Sequence, residues 1–175
     1  MFKRGMLAAL AATMVVAGCD SDSPTAPTDP NLVIFTAQLS AANEVPAVTN
    51  TEITARGDVR ITFNLTRDTA NNVTGANVTF VVNLNSFPAG STWTLAHIHE
   101  GGSGIAGPVR VNTGLTAATG IALPNGTVSN QTFSNISVTD AALINSIISN
   151  PAGFYFNAHT LLNPPGAVRA QLVRQ

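Results

Sequence analysis

The sequence predicts an all-β domain, a sandwich or a barrel. Three observations carry that expectation: strict alternation of apolar and polar side chains, turn signals at short intervals, and a polar surface built from Asn, Thr and Ser. Charged residues make up 10% of the 175, well below the ~25% of an average soluble protein. Val59, Ile61, Phe63 and Leu65 alternate with Asp58, Arg60, Thr62, Asn64 and Thr66, the pattern of a strand with one face in water. Val78, Phe80, Val82 and Leu84 repeat it beyond an Asn71-Asn72 turn signal, so the two segments are expected to pair antiparallel. Further strands are expected at Leu32–Ser40, Thr92–His99, Val109–Thr113, Thr127–Val138, Gly153–Thr160 and Gly166–Val173. Pro46, Pro88-Ala89-Gly90, Gly101–Pro108, Pro124-Asn125-Gly126 and Asn163-Pro164-Pro165-Gly166 punctuate them. Many short strands at this spacing imply a sandwich or barrel.

One segment departs from the two-residue period. Leu143, Ile144, Ile147 and Ile148 share one helical face, so a short amphipathic helix is expected near 140–149, lidding one end of the domain. Thr139 is its expected N-cap, Asp140 suits the positive first turn, and Pro151 stops the run.

The N-terminus sets an expected address. Residues 1–18 have the form of a secretory signal: Lys3 and Arg4, then an uncharged apolar run from Met6 to Ala17. That run is too short to span a bilayer, which takes about 20 residues. It ends in Val16-Ala17-Gly18-Cys19, which resembles the lipobox of bacterial lipoproteins, where the cysteine is lipidated and becomes the first residue. Several acyl chains on Cys19, at about 0.8 kcal/mol per buried CH₂, would anchor the chain to a membrane without spanning it. Residues 20–30, DSDSPTAPTDP, hold nothing large and apolar, so 19–30 is expected to be a lipidated cysteine and a disordered linker. Residues 31–175 form the single folded domain. The expected location is the bacterial cell envelope, facing periplasm or exterior.

Composition narrows the function classes. A net charge of −1 lacks the basic footprint of a nucleic-acid binder. One cysteine excludes an intramolecular disulfide and a CxxC site. Lys3 is the only lysine and leaves with the signal, and no GxSxG elbow is present. Gly102–Gly107 matches GxGxxG letter for letter, yet Pro108 and the alternating Val109–Asn112 follow where a nucleotide site needs a helix. That loop is expected to be a flexible connection that gates its neighbours. Catalytic residues are therefore not expected.

Several stretches together resemble the CHRD domain, named for chordin. They are Phe35–Pro46, Ala96-His97-Ile98-His99-Glu100-Gly101 with Gly107-Pro108-Val109, Tyr155-Phe156-Asn157-Ala158-His159-Thr160, and Asn163–Leu172. Ala170 departs from the glycine usual in the family after the arginine. The resemblance implies a Greek-key β-sandwich, immunoglobulin-like or similar to copper/zinc superoxide dismutase. It implies little about activity.

All three histidines, His97, His99 and His159, fall in these stretches. His97 and His99, two apart on a strand, are expected on one face beside Trp93 and Leu95, with His159 in phase with Tyr155 and Asn157. Neutral imidazoles suit Cu(II) or Zn(II), and the HxH pair resembles copper ligands on a strand of the dismutases. Glu100, Tyr155 or water would complete such a shell, and Tyr155, Asn157 and Glu100 are its expected surroundings. Alternatively the imidazoles hydrogen-bond loops: His159 the Asn163–Gly166 turn, His97 or His99 the glycine-rich loop. Arg169 is expected to form a fold-holding ion pair with Glu44. Two functions follow: a lipid-anchored, non-enzymatic module that binds an unknown protein or glycan, or a copper- or zinc-binding protein using the three histidines.

Overall fold

The computed structural model describes residues 29–175. The signal segment, Cys19 and most of the 19–30 linker lie outside the described residues. The fold is all-β, as the alternation requires. Its strands are β1 (Leu32–Ser40), β2 (Arg56–Arg67), β3 (Val73–Asn85), β4 (Ser91–Glu100), β5 (Val109–Asn112), β6 (Ile121–Leu123), β7 (Val128–Val138), β8 (Phe154–Thr160), β9 (Val168–Gln171) and β10 (Val173–Arg174). The helix is α1 (Ala141–Ser149).

All strands belong to one antiparallel sheet in the order β5-β4-β8-β9-β1-β2-β3-β7, with β6 on β4 and β10 on β1. The chain runs β1-β2-β3 as a meander, crosses to β4 and β5, returns to β7, then crosses again to β8 and β9, which is Greek-key connectivity. The sheet rolls on itself into a near-barrel. Phe80 of β3 meets Phe156 of β8 at 5.9 Å between ring centroids, and Trp93 of β4 meets Phe133 of β7 edge-on at 5.5 Å. These pairs are distant in sheet order, so they close the interior.

β2 and β3 pair from Arg56↔Asn85 to Thr66↔Gly75. Their turn is held by Asp68, whose Oδ1 accepts from the amides of Ala70 (2.9 Å) and Asn72 (2.8 Å), with Asn71 at φ 67°. Val59, Ile61, Phe63, Val78, Phe80 and Val82 are buried, while the intervening polar residues face outward. α1 buries Leu143, Ile144 and Ile147. Its N-cap is Asp140, whose side chain accepts from Leu143 N at 3.0 Å, and not Thr139: the carboxylate one residue on reaches the free amide that a cap must satisfy. β6 has only three residues, too few to show a period. The expected final strand is two strands, divided at Leu172.

Candidate metal centre

The site is set by one extra residue in β4. Trp93 pairs with Thr160 and Leu95 with His159, so two steps along β4 match one along β8. This bulge at Thr94 reverses which side chains face inward. Trp93 therefore lies in the apolar core, and so do Ala96 and Ile98 beyond the bulge. His97 and His99 are turned to the opposite face from Trp93. The expectation that they share its face is corrected by that single inserted position.

On β8 every residue is buried, on both faces. Phe154, Phe156 and Ala158 join the core, while Tyr155, Asn157 and His159 share the other face with His97 and His99. The register sets His99 opposite Tyr155, His97 opposite Asn157, and Asn157 opposite Arg169 of β9. This outer face is polar yet shielded: exposure is 6% for His97, 8% for His99, 6% for His159 and 1% for Arg169.

Three loops supply the cover. The 101–108 loop brings Gly107, whose carbonyl lies 2.9 Å from His99 Nδ1 and whose amide donates to the Tyr155 hydroxyl at 3.0 Å. A Cβ on Gly107 would collide with the Glu100 carbonyl, so only glycine permits this approach. The loop is thus clamped to the site, not a loose gate. The 161–167 loop brings Pro164, whose carbonyl lies 2.8 Å from His159 Nδ1. It is tied to the 41–55 segment by Glu52, whose Oε2 accepts from Thr160 Oγ1 and Asn163 Nδ2, both at 2.6 Å. Gly166, at φ 147°, leaves room for Glu44 and Asn157, whose polar atoms lie 2.5 and 2.7 Å from where its Cβ would stand.

The three imidazoles converge. One ring nitrogen from each of His97, His99 and His159 lies within 4.8 Å of the others. His97 Nδ1 is 3.3 Å from His159 Nε2, close to the span of two ligands each about 2.0–2.1 Å from a tetrahedral ion. Since His99 and His159 meet carbonyls at Nδ1, that nitrogen carries the proton in each, and Nε2 presents a lone pair to the cluster. His99 Nε2 is buried without a hydrogen-bond partner, as are Asn157 Oδ1 and Glu44 Oε1. Burial, then the mutual influence of His159 and His99, pushes His97 down to about pKa 4. Burial lowers His99 and His159 too, partly offset by their backbone carbonyl contacts. All three are neutral at pH 7, the form that ligates metal.

The rest of the expected site divides. Tyr155 stacks on His99, centroids 4.8 Å apart and planes 9° from parallel. Arg169 lies over the other face of Tyr155 at 3.7 Å and donates from Nη2 to Gly102 O at 3.3 Å. Arg169 and Glu44 make no direct ion pair; the salt bridges among the described residues join Arg110 to Glu100 and to Asp140. Arg169 is committed to the aromatic ring and the loop, and burial raises Glu44 to about pKa 8 despite the Arg169 charge. Glu100 is exposed, one position out of phase with the histidines and engaged with Arg110, so it does not join the cluster. The stack was invisible in sequence, because Tyr155 and Arg169 are far apart along the chain and meet only through β8–β9 pairing.

An all-β Greek-key near-barrel carrying a loop-covered polar face defines the class of domain. The CHRD domain family model matches residues 35–172, and the chain belongs to that family. No curated protein and no solved structure matches it.

Proposed function

We propose that this CHRD domain is a non-enzymatic binding module of the bacterial cell envelope, tethered by lipid at Cys19, and that its histidine cluster binds a transition-metal ion, copper or zinc. The observation that carries the metal reading is the arrangement of nitrogens on the three rings. His99 and His159 each engage a backbone carbonyl through Nδ1 and leave Nε2 toward a common point, which is how metal-ligating histidines are held in register by their surroundings. The alternative roles weighed from sequence are therefore compatible: the same rings pin the loops and face the cluster. Nδ1 of His97, 3.3 Å from His159 Nε2, supplies the third donor once its proton moves to Nε2 and the ring stays neutral.

The module reading draws on a separate feature. The loops over the histidines present large apolar side chains to solvent: Ile53 at 53% exposure, Ile105 at 57%, Leu161 at 66% and Leu162 at 52%. Such residues suit contact with a protein or glycan partner. Calorimetric titration with Cu(II) and Zn(II), on full-length protein and on His97→Ala and His159→Ala, tests the metal reading. One equivalent bound tightly by wild type, with affinity sharply weakened in both variants, is expected. Equal uptake by all three would contradict it.

A further inference from the structure

We propose that the ion this site is built for is cuprous copper, Cu(I), in preference to Cu(II) or Zn(II). The inference rests on the three-histidine reading above and deepens it. Three features favour the lower charge. First, the clustered donors are imidazoles alone, with no carboxylate among them, so the ion's charge is not neutralised by its ligands. Second, the rings are buried, and the cost of placing an ion in a low-dielectric interior rises steeply with its charge. Third, Arg169, 1% exposed, stands behind the stack it forms with Tyr155 and His99. Its fixed positive charge sits one aromatic ring beyond His99.

Among the described residues, nothing nearby cancels that charge directly. Glu44 makes no ion pair with Arg169 and is mostly protonated at pH 7. The Glu52 carboxylate is engaged by Thr160 and Asn163 at the end of β8. Three neutral nitrogens also match the low coordination number a cuprous ion accepts, whereas Cu(II) and Zn(II) would require a further ligand. Binding is written without a redox step: the ion arrives as Cu(I) and stays so.

The test uses full-length protein carrying Cys19→Ser, so that no thiol competes for copper. Affinities are measured for Cu(I) under reductant against a chromophoric cuprous chelator, and for Cu(II) and Zn(II) against their own chelators. One extra unit of charge near a buried cation, at an effective dielectric near 20, is an effect of about one to two powers of ten in affinity. Cu(I) is expected to bind about 100-fold more tightly than either dication. Arg169→Gln is expected to narrow that ratio about tenfold, and Arg169→Lys to retain most of it. Should Arg169→Gln fail to fold, the wild-type ratio decides alone. Cu(II) or Zn(II) binding as tightly as Cu(I) would overturn the cuprous preference while leaving the histidine site standing. No uptake of any of the three by folded protein would overturn both.

Discussion

Glu44 illustrates how a residue far from any strand pattern shapes the pH response. Its carboxyl ordinarily titrates near 4.5 and is raised to about 8, chiefly by burial. Between those values the folded state holds more protons than the unfolded one. The contribution to stability is therefore complete below about pH 4.5 and lost as pH rises through 8. His97, lowered to about 4, acts with the opposite sign: its contribution is complete above 6.5 and lost as pH falls through 4. Thermal melts should show wild type losing stability relative to Glu44→Gln between pH 5 and 8. Parallel pH profiles for the two proteins would contradict this account. At Gly107, Ala has no room beside the Glu100 carbonyl. Gly107→Ala is expected to displace the loop from His99 and Tyr155, weakening metal uptake about 10–100-fold, the usual cost of losing a partner that orients a ligand. Unchanged affinity in a folded Gly107→Ala protein would show that the clamp is dispensable.

Among the elements, the bulge in β4 matters most. Were β4 to pair residue for residue with β8 through Thr94, without the bulge, Trp93 and the two histidines would fall in one phase, and either the core or the site would be lost. Deleting Thr94 removes the bulge together with its extra residue, so Trp93 and the histidines stay on opposite faces; a folded deletion should still take up metal, and a folded deletion that does not would refute that role. The Asp140 cap is a smaller device: Asp140→Ala should cost ~1 kcal/mol, about 2–4 °C in a melt of a domain this size. The strands were legible in the sequence because one face of each meets the core, as in β2 and β3, where alternation is unbroken. The bulge was not, since Thr94 is chemically ordinary and its insertion shows only against β8. Glu44 and Arg169 invited pairing as opposite charges, yet Arg169 found a ring and a carbonyl that composition alone cannot locate. The three histidines were the reverse case. They stood out by scarcity, and the antiparallel β4–β8 register gathered them.

Across the whole molecule, two interiors divide the labour. The rolled sheet encloses an apolar core that holds the fold, and three loops cover a second, polar layer on the outer face of β4, β8 and β9. The apolar core fixes strand positions to which the loops then bring Gly107, Pro164 and Glu44. A lipid at Cys19 would place this layer near a membrane surface, beyond a linker with three prolines between Ser21 and Asn31. Fractionation of cells expressing wild type and Cys19→Ser should move the protein from the membrane to the soluble envelope fraction. Equal membrane retention of both would remove lipid tethering from the account.

The measurement closest to the central claim is X-ray absorption at the metal edge of copper-loaded full-length protein carrying Cys19→Ser. The account predicts imidazole scattering from three nitrogens at about 2.0 Å, reduced to two in each of His97→Ala, His99→Ala and His159→Ala. A shell dominated by oxygen, or one indifferent to these substitutions, would contradict it.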